Sequence, residues 1–187
     1  YAYTLDDGAG NVTENGTDPT EKLEVEGDYI NLTGGAHNLR GSIGGDLLGF
    51  FTSLTVKDAV IGGSMRFVSF EPALVAVTCR NLTFVGTDTN IGKNVKANAI
   101  YAYTGGTFVF EGSCDTLVVY AQKVVIKGTI NDNAEIHSDD VSFASDCTIN
   151  NVTVNSVSAP YRNDTDGYSD AVGYFDSLTW NKVNVWR

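Results

Sequence analysis

Large apolar residues along the chain fall into short clusters, each closed by Gly, Asn, Asp or Ser. Some alternate with polar residues, as in Thr107-Phe-Val-Phe, and some run continuously, as in Leu117-Val-Val-Tyr-Ala. Nowhere do apolar positions recur at i, i+3, i+4 and i+7 over three turns, so little or no helix is expected. The pattern predicts β segments at 23–26, 29–32, 47–51, 54–56, 60–61, 65–70, 74–78 and 82–85. It continues with 99–103, 107–110, 117–121, 124–127, 134–137, 141–144, 148–154 and 178–185. Short strands at such regular spacing fit a sandwich, a barrel or a solenoid.

Internal similarity narrows the choice. Cys79-Arg-Asn-Leu-Thr-Phe parallels Cys114-Asp-Thr-Leu-Val-Val, and Cys147 follows at a similar interval. The passages leading into Cys114 and Cys147 are also alike, and Phe51-Thr-Ser-Leu-Thr-Val is echoed by Phe175-Asp-Ser-Leu-Thr-Trp. Imperfect repetition of a strand-turn-strand unit is what a coiled solenoid produces, because each turn stacks like positions into ladders. The expected fold is therefore all-β, a single-domain parallel β-solenoid over residues 23–157. With three strands per turn, a repeat of roughly 22 to 30 residues would give about five turns. Residues 1–22 read as a flexible arm or donor strand, and 158–187 as a loop followed by a C-terminal β cap. The competing fold is an antiparallel, pilin-like sandwich, which would need longer strands with strict in/out alternation.

On this rung pattern the chain resembles extracellular right-handed parallel β-helix proteins, a class that includes adhesins, phage fibre modules and polysaccharide lyases. The resemblance implies a secreted or cell-surface setting and a structural, adhesive or carbohydrate-active role.

Composition supports the β reading: 69 of the 187 residues are Val, Ile, Thr, Phe, Tyr or Trp, against 7 Glu and 1 Met. The formal net charge is -11, with 12 Lys and Arg against 23 Asp and Glu. A phosphate backbone is gripped by clustered cations, so nucleic acid is excluded as a partner. An anionic membrane surface is disfavoured for the same reason, and no apolar run approaches the roughly 18 to 20 residues that span a bilayer. A soluble chain is expected.

Six Asn-x-Thr sequons, at Asn11, Asn15, Asn31, Asn81, Asn151 and Asn163, are about twice the number that composition alone would give, and they point to a glycosylated, secreted protein. Cys79, Cys114 and Cys147 lack a CxxC spacing, and His37 and His137 lie far apart, so a standard zinc site is not expected. On stacked rungs the three cysteines would form an inward ladder of small apolar side chains, or two neighbours in it would form a disulfide. Asp164, Asp166 and Asp170 flank Gly167 in a weak calcium-like arrangement, but no Glu closes the loop, so no cofactor is expected beyond a weak calcium candidate.

Asp139-Asp140 is the only second carboxylate pair that could complete a glycosidase-like centre. Adjacent strand residues face opposite sides, so no catalytic residue is assigned and the protein is expected not to be an enzyme. Tyr101, Tyr103, Tyr120, Tyr161, Tyr168 and Tyr174 are candidates for stacking on sugars. Tyr1-Ala-Tyr-Thr recurs as Tyr101-Ala-Tyr-Thr. Tyr1, Tyr3 and Leu5 are therefore candidate assembly residues, able to imitate a rung on the edge of a neighbouring subunit. The expected function is a self-assembling filament or sheath subunit with copies of itself as partners. A glycan-binding adhesin or fibre module and a β-helix carbohydrate enzyme are the alternatives.

Overall fold

The computed structural model describes residues 45–155 apart from 52, 70 and 71, together with the strand backbones at 3–6, 12–15, 29–33 and 36–43. The predicted segments at 23–26 and 178–185 lie outside these residues.

The described chain is a β-solenoid of about six turns with no helix. Each turn contributes to three faces. The first face, sheet A, is built from β3 (Tyr29–Thr33), β5 (Asp46–Phe51), β7 (Met65–Ser69) and β9 (Asn81–Gly86). It continues through the C-terminal parts of β10 (Thr89–Thr104), β12 (Ser113–Tyr120), β14 (Thr129–His137) and β16 (Thr148–Asn155). The other two faces are carried by β4 (Ala36–Ile43), β6 (Ser53–Ile61), β8 (Ala73–Thr78), β11 (Thr107–Phe110), β13 (Lys123–Ile126), β15 (Asp140–Phe143) and the remaining parts of β10, β12, β14 and β16. From β3 onward every pairing is parallel, which rules out the sandwich.

The repeat is shorter than the roughly 22 to 30 residues expected for three strands per turn. Leu47 pairs with Met65, Met65 with Leu82, Leu82 with Ile100, Ile100 with Leu117, Leu117 with Ala134 and Ala134 with Val152. One turn is therefore 17 or 18 residues, and the interval of 35 between Cys79 and Cys114 spans two turns. Three faces fit into so few residues because most corners are made by one to three residues rather than by loops.

Alternation places one set of side chains inward, and stacking turns each set into a ladder. Val56, Leu74, Ile91, Phe110 and Ile126 form one such ladder, fully or almost fully buried. Phe67 and Phe84 stack face to face at 5.1 Å on sheet A, and Phe84 meets Phe108 across the interior. Corner amides left unpaired by the change of direction find carboxylates on the previous turn: Ser64 N donates to Asp46 Oδ1 at 2.7 Å and Thr107 N to Asp88 Oδ1 at 2.8 Å. At another corner, a Cβ on Gly112 would lie 2.7 Å from the Val95 carbonyl oxygen, so the close approach of successive turns requires glycine there.

The N-terminal end differs. β1 (Tyr3–Asp6) pairs antiparallel with β2 (Val12–Asn15) and, on its other side, antiparallel with β3. Tyr3 and Leu5 thus lie on a strand added to the first turn of their own chain, not on a free arm. Tyr1 lies outside the described residues.

Candidate functional site

The last described turn is where the repeat loses its second neighbour. β16 pairs with β14 on one side, and no described strand pairs with its other edge. Val152 and Val154 continue the inward ladders of Leu117–Ala134 and Val119–Ile136. They are 47% and 48% exposed, whereas Leu117, Val119 and Ile136 are completely buried. Phe143, which ends the Phe110–Ile126 ladder, is 43% exposed. Val141, Cys147 and Ile149 are partly buried against the end of the core. Together these residues form an apolar terminal surface rimmed by the backbone donors and acceptors of an edge that pairs with no described strand.

Beside this surface, on the outer side of sheet A, lies a trough of about 480 Å³ whose lining includes Thr116, Asn133, Glu135, Asn151, Thr153 and Asn155. Alternation puts these side chains in columns that run along the stacking direction. Glu135 Oε1 lies 2.6 Å from His137 Nε2, and the imidazole stacks on the Tyr120 ring at 4.0 Å, nearly parallel. The sequence reading passed over this pair, although Glu-Ile-His on a strand puts both polar side chains on one face. Ser138 Oγ donates to the Gln122 carbonyl at 2.9 Å and accepts from Asp140 N, so the turn after His137 is held to the previous one.

Among the sequons, Asn81 and Asn151 occupy the same outward column of sheet A: Asn81 pairs with Ala99, Ala99 with Thr116, Thr116 with Asn133 and Asn133 with Asn151. Asn151 is exposed, and its Nδ2 donates to the Asp132 carbonyl at 3.3 Å. Asn81 is half-buried. Asn15 lies on β2 and Asn31 on β3. Asn11, Asn163, Asp164, Asp166, Asp170, Tyr161, Tyr168 and Tyr174 lie outside the described residues. Asp139 and Asp140 are both exposed. Tyr101 is half-buried, but Tyr103 and Tyr120 are buried, which takes both away from a sugar-stacking role. His37 lies on β4 opposite Leu54, more than five turns from His137. No group of three His, Cys, Asp or Glu side chains able to hold a metal occurs among the described residues.

Cys79 and Cys114 are buried in the core, along one inward column. Cys79 follows Thr78, which pairs with Lys96, and the next residue, Ala97, pairs with Cys114. Ala97 therefore separates the two sulfurs, leaving their Cα atoms roughly 9 to 10 Å apart, beyond disulfide reach. Both are free and buried. Cys147 sits two residues ahead of this ladder, because Thr148 pairs with Thr129 and Ile149 takes the ladder position opposite Ile130. A turn ending in Cys147 N donating to the Ala144 carbonyl shifts it. Burial pushes the Cys79 and Cys114 thiols from their ordinary 9.0 up to about 12, with the Asp115 charge adding at Cys114. Neither is a nucleophile near neutral pH.

No helix among the described residues is long and apolar enough to cross a membrane. Compared with protein-family models, curated proteins and solved structures, the chain gave no match.

Proposed function

We propose that this protein is a structural subunit, secreted or displayed at a cell surface, that assembles end to end with copies of itself. The observation that carries this reading is the terminal surface of the last described turn, where Val152, Val154 and Phe143 continue buried ladders into half-exposed positions beside a strand edge with no described partner. A second subunit stacked there would bury these side chains as a further turn does, with backbone hydrogen bonds setting the register. The opposite end presents β2, which pairs only with β1 among the described strands. Two unlike ends meeting head to tail generate an open filament. The sequon excess, with Asn151 exposed on the outer face, supports the extracellular setting.

Sedimentation of the purified chain over rising concentration tests the assembly. Large species should form, and a Val152→Lys, Val154→Lys variant should remain monomeric with an unchanged far-UV β signal, because two ammonium groups would have to be buried at the contact. Equal assembly of the variant would remove the terminal surface from the mechanism. The trough of amide, hydroxyl and carboxylate groups favours a second reading, a glycan-binding module. Binding to a glycan array that is lost in Glu135→Ala would support it over assembly.

A further inference from the structure

Sheet A begins and ends on strands of like direction. β1 runs antiparallel to β3 and β2 antiparallel to β1, so two reversals set β2 parallel to β3. From β3 to β16 the sheet is parallel throughout, so β2 and β16 run the same way. Neither has a described strand on its outer side. The register is kept as well. Val154 pairs with Ile136, and that inward column descends through Val119, Phe84 and Leu32 to Leu5 on β1 and Thr13 on β2. By the same pairings Thr153 lies in the column of Val12, and Asn155 in that of Glu14. The β1–β2 hairpin thus extends sheet A by two strands on the column positions that the turns set.

We propose that β16 of one subunit pairs in parallel with β2 of the next, with Thr153 opposite Val12, Val154 opposite Thr13 and Asn155 opposite Glu14, so that sheet A runs unbroken through the joint. This pairing rests on the end-to-end assembly proposed above and names the strands that make it. Geometry sets the register. A neighbour shifted by one residue would put Val154 in line with an outward position. A shift of two would carry the whole neighbour sideways by roughly 7 Å, taking its corners and its other two faces out of line with those below. With no shift every column continues, and Val154, 48% exposed at the end, gains a strand on each side, as Ile136 has. Because the joint is made on the hairpin, each subunit adds ten strands of sheet A, β1 and β2 with the eight from β3 to β16. At about 4.8 Å per strand the axial repeat is roughly 48 Å, whereas a joint made on β3 with the hairpin outside it would give roughly 38 Å.

Helical reconstruction of wild-type filaments from electron micrographs reads that repeat. A rise of roughly 48 Å per subunit is expected, and any other, roughly 38 Å included, overturns the pairing while leaving end-to-end assembly in place. Disulfide trapping reads the register. In a Cys147→Ser background, Thr153→Cys with Val12→Cys places Cα atoms about 4.8 Å apart across the joint, within bridging range, while Thr153→Cys with Glu14→Cys leaves them roughly 8 Å apart, beyond it. Oxidised filaments of the first pair should run as a ladder of covalent multimers on a non-reducing gel, severalfold stronger than for the second pair or either single variant. Equal or stronger linking by the second pair overturns the register, and linking by Thr153→Cys alone overturns the joint by showing that like ends meet. If the first pair fails to assemble, the rise of the wild-type filaments decides. A wild-type chain that forms no filament removes both this joint and the assembly it rests on.

Discussion

The turns between β7 and β14 and the last described turn, β16, share one backbone plan and one inward spacing, yet they differ in what lies on either side. Leu117 and Val119 have a turn above and a turn below and are completely buried, whereas Val152 and Val154, two turns along the same ladders, are nearly half exposed. In a solenoid, burial is therefore a property of neighbours more than of the side chain or its strand. A middle turn has neighbours on both sides, while an end turn needs something further. The N-terminal end meets that need with the antiparallel strand β1, and the opposite end shows no described equivalent.

The sharpest way to break this comparison is to delete side-chain volume at matched places. Phe84→Ala removes a ring stacked on Phe67 and packed against Phe108, so it should cost about 3 to 5 kcal/mol in denaturant unfolding of the monomer. Val154→Ala, on the open turn, should cost less than about 1 kcal/mol under the same conditions. Similar losses at the two positions would mean that the last turn is covered as well as the middle ones.

A smaller effect sharpens the comparison through the thiols. Cys79 and Cys114, in the interior, should resist a polar alkylating reagent in the native state, whereas the half-buried Cys147 should react first. Their pH dependence has a definite sign. The native thiol pKa lies near 12 against 9.0 when unperturbed, so the native state holds its protons where the unfolded chain releases them. The stabilisation linked to these two protons is fully present below about pH 9 and is lost as pH rises from there toward 12. Equilibrium unfolding followed from pH 7 to 11 should show this fall, and replacing both residues by Ala should remove that part of it. A stability that rises across this range would contradict their burial.

Much of this architecture was legible in the chain because ladders require like residues at like positions. The match of Cys79-Arg-Asn-Leu-Thr-Phe to Cys114-Asp-Thr-Leu-Val-Val is the true register, since Leu82 and Leu117 both stack on Ile100. The turn length was misjudged because the intervening turn fills the cysteine position with Ala97, a different small residue, so similarity peaks at twice the real repeat. Cys147 was misplaced because two extra residues in a surface turn shift it while leaving Ile149 in the ladder. Tyr1-Ala-Tyr-Thr resembled a rung strand because it has a rung strand's alternation. Alternation alone sets neither direction nor partner, and the structure runs Tyr3–Asp6 antiparallel to its own first turn. The Glu135–His137 pair was within reach of the same period-two argument.

Fibre diffraction from aligned assemblies of the full chain tests end-to-end stacking most directly. If subunits join through their terminal turns, every strand lies across the filament axis and the spacing of successive turns runs along it. A sharp meridional reflection near 4.8 Å is then expected, lost together with the filaments in the Val152→Lys, Val154→Lys variant. Filaments whose 4.8 Å reflection lies on the equator would mean that subunits join through their flanks, and a chain that stays monodisperse at high concentration would contradict the account outright.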